Sequence, residues 1–390
     1  MRKNISRSFL CFLLLFFSLI FLRTPAFAGN SASSAGDAEK YSQEIAEKSG
    51  ADDLADKLPA ETRRILNELG VEKADGESVS SVTPQNYFQK ILSVFSGKAK
   101  APARVFAAAV SVILLCALLN SLKLSFGEKP LGDVVGLVGT LCICTVVVQP
   151  IVACVSDAAE MLKAASGFLL ACAPVLAGIM AAAGQSASAG TYHLLTAAAG
   201  GAVSAFASTV LSPMMNLLLA LSVVSSVSPG LGLDGLCGAM NKAVKWIMGL
   251  GMTLFTGLVT MHSVVAVSAD NAGVRAAKFM VGSFVPVVGS ALGEALGTVN
   301  GCVKALKSGV GAFGLLAGLF LFLPVLAECV LWVLTLTVCS GVSRVFDLGP
   351  IAELLKSAAD VVSTMTAILL CSMSVLIITT VAMLLIGGGA

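Results

Sequence analysis

Few side chains in this sequence have the types and spacing that catalysis needs. Only two histidines, His193 and His262, occur in 390 residues. His262 lies in an apolar run, where an imidazole more often bonds a neighbouring helix than relays protons, although intramembrane polar groups are functional candidates. Glu328 follows Pro324 in the middle of the apolar stretch 311–342. A carboxylate there is costly unless it pairs, is protonated or reaches water. A re-entrant hairpin with its tip near Pro324–Glu328 would bring it to water. Asp133 lies near the end of another apolar run, within reach of water. Of 11 cysteines none falls in residues 29–104. Cys142-x-Cys144 is not a C-x-x-C pair and has no histidine beside it, so no zinc site is expected. Gly230-x-Gly232-x-x-Gly235 and Gly309-x-Gly311-x-x-Gly314 match the dinucleotide fingerprint by letter but lack its strand, helix and acid. No P-loop, H-E-x-x-H or G-x-S-x-G is present. The sequence carries no positive sign of an enzyme, a metal or a cofactor.

The elements that hold these residues are apolar. Hydrophobic residues make up 56% of the chain and charged ones 12%, with a mean hydropathy of +0.91. Between Ala164 and Leu233 there is no Asp, Glu, Lys or Arg. That is room for about three crossings at roughly 20 residues each. A net charge of +2 gives no basis for nucleic-acid binding. The fold class expected is all-α: a polytopic helical membrane protein with about seven or eight spans, some broken or re-entrant, after a small helical N-terminal segment. Its solvent is the lipid bilayer.

Three regions follow from the charge pattern. Residues 1–28 read as a signal peptide: Arg2, Lys3 and Arg7 precede the apolar run 9–22, and Ala26-Phe27-Ala28 has the small-x-small form of a cleavage site. Residues 29–104 hold nearly half of the charged side chains and form a polar, helical segment expected on the extracytoplasmic side or at the membrane interface. Pro59 opens a helix that Gly70 can stop, and Thr83-Pro84 reads as an N-cap followed by proline. The helix after Thr83 suits the interface or the core of a small soluble domain equally well. Residues 105–390 form a multi-span membrane domain. Within it Asp157, Glu160 and Lys163 read as a polar loop. Asp234, Lys242 and Lys245 read as another, and Gly200-Gly201 and Pro213 as breaks.

Gly289, Gly293, Gly297 and Gly301 recur every fourth residue. On one helix they form a ridge with almost no side chain, to which another membrane helix can pack closely. Just before it come Asp270, Arg275 and Lys278, leading into Ser283-Phe-Val-Pro286-Val-Val-Gly289. In that segment, in the Pro324 break with a charge close behind, and in the order of leader, polar segment and multi-span body, the chain resembles the stage III sporulation protein AE family of endospore-forming bacteria. The resemblance covers nearly the whole length. It implies a protein made in the mother cell and required after engulfment. Its partners would be other membrane proteins of one sporulation complex, with a companion ATPase acting indirectly. Together these are thought to build a channel or secretion-like complex across the membranes around the forespore. The resemblance supplies no list of functional residues. The competing expectation is a self-sufficient secondary transporter that uses broken helices near Pro213 and Pro324.

Overall fold

The computed structural model describes residues 44–80, 82–126, 130–182, 184–206, 209, 212–227, 234–284 and 289–385. All belong to one compact unit, Tyr41–Ala390. The expected signal peptide lies outside the described residues. Every regular element among them is helical. After a 3-10 turn (Asp52–Lys57) come α1 (Ala60–Glu68), α2 (Gly76–Ser80), α3 (Pro84–Lys98), α4 (Lys100–Phe126), α5 (Pro130–Ala182), α6 (Ser186–Phe206), α7 (Ser212–Val227), α8 (Asp234–Phe284), α9 (Gly289–Val345) and α10 (Gly349–Leu385).

Five of these helices are long and apolar enough to cross a membrane: Lys100–Ser121, Gly136–Ala182, Gly235–Asp270, Ala305–Val345 and Gly349–Ala382; Pro213–Ser225 is a shorter apolar helix. The protein is an all-α, membrane-helical chain. Several of its described helices are much longer than the local sequence signals suggest. Asp157, Glu160 and Lys163 do not form a loop: they are exposed residues in the middle of the 53-residue α5, which also carries Pro150 and Pro174. Asp234, Lys242 and Lys245 stand in the first turns of α8. Gly200 and Gly201 lie inside α6, and Pro213 stands in the first turn of α7.

The largest correction concerns Pro324. Instead of turning a re-entrant hairpin, it sits inside the 57-residue α9. Proline removes one backbone donor and crowds the carbonyl four residues back, yet helices buried among other helices tolerate it. Here the walls are close. Phe313, Phe320, Phe322 and Trp332 are fully buried to either side of Pro324, in the same core as Phe168 and Ile151 of α5.

Named contacts fix how the long helices run. A methyl on Gly139 of α5 would meet Cys116 Sγ of α4 at 2.5 Å and Ile351 Cδ1 of α10 at 3.1 Å. Farther along α5, Cys154 Sγ lies 3.6 Å from Cys329 Sγ of α9. Thus α9 runs antiparallel to α5, with its C-terminal end at the level of Gly139. Helix α10 returns antiparallel to α9. Gly318 faces Leu376, Gly314 faces Thr380, Gly311 faces Leu384, and Ser340 Oγ donates to the Ala352 carbonyl at 2.8 Å. Asp347, in the left-handed region at φ 55°, makes the turn between them. The letters that mimicked a nucleotide fingerprint are therefore a packing seam: the bare backbone of α9 at Gly311, Gly314 and Gly318 receives the Leu and Thr side chains of α10.

The N-terminal segment does not form a core of its own. Its Ile45, Leu54, Leu58, Ile65, Leu66, Val71 and Ala74 join the common core. Helix α3 passes into α4 through Ala99, which keeps right-handed helical dihedrals. Gly70 ends α1 with φ +82°, as its position in the sequence suggests.

Among the described residues, Gly309 is where another segment's backbone comes closest. A Cβ there would meet the backbone N of Gly76 at 2.5 Å and its Cα at 3.0 Å, whereas nothing lies within 4 Å of one on Gly301. A backbone cannot rotate out of the way. Gly309→Ala should therefore lower stability by about 1–3 kcal/mol. Gly301→Ala should leave it unchanged or raise it by up to about 1 kcal/mol through helix propensity. Thermal unfolding of the two variants in the same detergent checks this; equal effects would refute the Gly76–Gly309 crossing.

Candidate functional site

The features that gather around α9 define the site. Three contacts with the N-terminal segment climb α9 in step with the chain: Gly76 against Gly309, Tyr87 edge-on to Phe320 with ring centroids 5.4 Å apart, and Lys98 Nζ 3.9 Å from Glu328 Oε2. From Gly309 to Glu328 is about 28 Å of helix at 1.5 Å per residue. Over that length the segment lies along α9 like a strap. None of residues 309–329 is exposed; the first exposed position is Val330, followed by Leu334 and Val338.

Glu328 stands where the covered part of α9 meets the outward-facing part. Lys98 reaches it from the last turn of α3 and also pairs with Glu61 of α1 at 3.3 Å. One ammonium thus lies between two carboxylates. Lys98 keeps 31% of its side-chain surface and Glu328 19%, so both are partly desolvated. The strap is held together by further pairs: Lys90 with Glu68, and Arg63 with Asp56 at 3.1 Å. Burial against α9 pushes the Tyr87 hydroxyl up to about 12, which keeps the phenol neutral beside Phe320. Desolvation, and then the nearby Arg64 charge, hold Lys90 below the usual lysine range.

Asp270 does a separate job. It is buried near the end of the apolar part of α8, and its carboxylate accepts from the Ala187 N–H at 3.0 Å and the Ser188 N–H at 2.8 Å. Those are orphan donors of the first turn of α6. An anion at a helix N-terminus satisfies them and complements the helix dipole. Gln185, the residue before α6, has an amide side chain that cannot serve both donors; the remote Asp270 does so and clamps α8 to α6.

The other candidates fall in different places. His262 is on α8 with an exposed side chain, far in sequence from Glu328 and outside its cluster. Gly289, Gly293, Gly297 and Gly301 share α9, but only Gly301 has described surroundings, and they are open. The side chains of Asp133, Arg275 and Lys278, and all of Pro286, lie outside the described residues. The Gly76–Gly309 crossing and the Cys154–Cys329 contact were invisible in the sequence. A small residue on each side was their only signal, in a chain with 38 glycines.

Helix α8 touches the body through one narrow stripe that includes Val244, Val259, Ala266 and Asp270. Its Ile247, Leu250, Leu254, Leu258, Met261 and Val265 are exposed. Thr253, Thr256 and Thr260 on it each donate to the carbonyl four residues back at 2.8–2.9 Å. These hydroxyls need no water, so the surface suits hydrocarbon or another apolar helix. A recess between α6, α8 and α10, lined by Tyr192, Thr196, Val259 and Thr379, measures about 10 Å³, the room of one water.

Long apolar helices, an internal strap and partly buried ion pairs define a membrane-helical protein. The sequence profile of stage III sporulation protein AE matches residues 71–388, so the chain belongs to that family. It is also similar to the stage III sporulation protein AE of Bacillus subtilis (strain 168), 22% identical over 298 residues, covering 74% of each chain. No solved structure matches.

Two outcomes follow from the charges. Replacing Asp270 by Ala leaves two N–H groups of the first turn of α6, one of them buried, without acceptors and should cost about 1–2 kcal/mol. Asp270→Asn should keep part of the cap. Amide exchange at Ala187 and Ser188 reads this directly, and unchanged exchange in the alanine variant would disprove the clamp. Lys98→Met strands Glu328 and Glu328→Gln removes its charge. The double variant should lose less stability than the two single losses summed, by about 1 kcal/mol. Simple additivity in thermal unfolding would deny the Lys98–Glu328 link.

Proposed function

We propose that this chain is an integral membrane component of the channel or secretion-like complex between mother cell and forespore, needed for sporulation after engulfment. It acts by packing its helices against partner subunits. Family membership over residues 71–388 supports the setting. The observation that carries the role is the outer surface of α8: a helix long enough to span, attached by one edge, with its apolar side chains outward and its threonines satisfied internally. The open Gly301, on the expected ridge with Gly289, Gly293 and Gly297, offers a second place for a close helix. In this reading the N-terminal strap faces the space between the two membranes, and a companion ATPase supplies energy elsewhere in the complex.

The transporter alternative loses one of its two supports, because α9 continues through Pro324 and offers no discontinuous helix there.

Extraction of the membranes around the forespore in mild detergent, followed by affinity capture of this chain, should recover other multi-span proteins of the same complex. A bulky polar change on α8, Leu254→Gln, should reduce that recovery while the chain stays folded in the membrane. Capture of the chain alone, in every mild detergent tried, would contradict the proposal. So would uptake of a solute by vesicles holding this chain and no other.

A further inference from the structure

Nine of the cysteines have described side chains, and two of them meet. Cys154 is on α5 and Cys329 on α9, two antiparallel helices at the centre of the body. Their sulfurs are 3.6 Å apart, in van der Waals contact, and their exposures are 1% and 0%. A disulfide needs about 2.05 Å between sulfurs. The approach required is about 1.5 Å, within reach of small side-chain rotations on helices that already touch. The other described cysteines act as internal comparisons: Cys142 and Cys144 are on the same helix as Cys154 but turned to more exposed positions.

The position gives the pair its meaning. Cys329 directly follows Glu328, the residue that Lys98 holds, and marks the last covered position of α9 before the outward-facing Val330. A covalent link at this height would fix the register of α5 against α9 beneath the end of the strap.

We infer that Cys154 and Cys329 form an oxidisable pair whose disulfide staples α5 to α9. The reaction breaks two S–H bonds and makes one S–S bond. Two electrons and two protons pass to dioxygen, an apolar oxidant that dissolves in hydrocarbon, and hydrogen peroxide is the product. Reduction by a dithiol reverses the link. The reduced and stapled forms share one fold, and the stapled form resists separation of the two helices.

The test uses the full chain in lipid nanodiscs, first reduced and then exposed to air with copper–phenanthroline as catalyst. Remaining thiols are alkylated after denaturation and the peptides are analysed by mass. The expected result is one linked pair joining the peptides that hold Cys154 and Cys329, with Cys142 alkylated. The link should be lost in Cys154→Ser and in Cys329→Ser and kept in Cys142→Ser. The oxidised wild-type chain should also melt at a higher temperature than the reduced one, a shift that a dithiol abolishes. Recovery of both peptides alkylated, after the same treatment has oxidised a control dithiol in the nanodisc lipid, would overturn the inference. So would linkage of either sulfur to a different cysteine.

Discussion

An apolar helix longer than a bilayer is thick must be covered by something other than lipid. The apolar part of α9, Ala305–Val345, has 41 residues and spans about 61 Å. A hydrocarbon core is about 30 Å thick, and even a helix tilted by about 40° stays in it for only about 40 Å. Roughly a third of this helix therefore needs a protein cover. The chain supplies one from α5 and α10 on one side and from its own polar N-terminal segment on the other. The strap lies where α9 shows no exposed residue, and it ends at Glu328, after which valine and leucine turn outward. The same constraint explains why so polar a segment folds against apolar helices. It buries a thin line of Leu and Ile residues and keeps its many charges facing away, tied to one another by ion pairs.

Close packing in such a body relies on the absence of side chains. At Gly309 two backbones touch. At Gly311, Gly314 and Gly318 side chains of α10 enter the surface of α9, and at Gly139 a cysteine of α4 enters α5. Hydrophobic transfer gives little preference for one helix over lipid, so these fitted contacts and a few polar clamps decide which helices meet. Ser166 donating to the Gly200 carbonyl at 2.6 Å, Thr364 bonded to Asn241 at 3.0 Å, and Asp270 on the start of α6 are the clamps.

Much of this architecture was legible in the residues. The charge-free run announced membrane helices, Thr83-Pro84 and Gly70 marked a helix start and a stop, and Glu328 was expected to need a partner or water. What could not be read was continuity. Asp157, Glu160 and Lys163 look like a loop because three charges in lipid would be costly; on a helix that outruns the bilayer they stand on an exposed face instead. Pro324 looks like a break because proline disfavours helix interiors; enclosed by Phe320, Phe322 and Trp332 the helix continues. Lys98 could not be assigned to Glu328 because more than two hundred residues separate them. The glycine pattern at 289–301 was visible, but the seam that the chain uses internally lies at 311–318, under letters that resemble a nucleotide motif.

The central claim is that the N-terminal segment lies along α9 while α9 stays unbroken through Pro324. Site-directed crosslinking tests it most directly: cysteines placed at Tyr87 and Phe320, in a chain otherwise free of cysteine, treated with a short bifunctional reagent in native membranes. The account predicts an efficient intramolecular crosslink at 87–320 and none between position 87 and position 338, on the outward part of α9. A crosslink from 87 to 338, or none to either position in a chain that still supports sporulation, would contradict it.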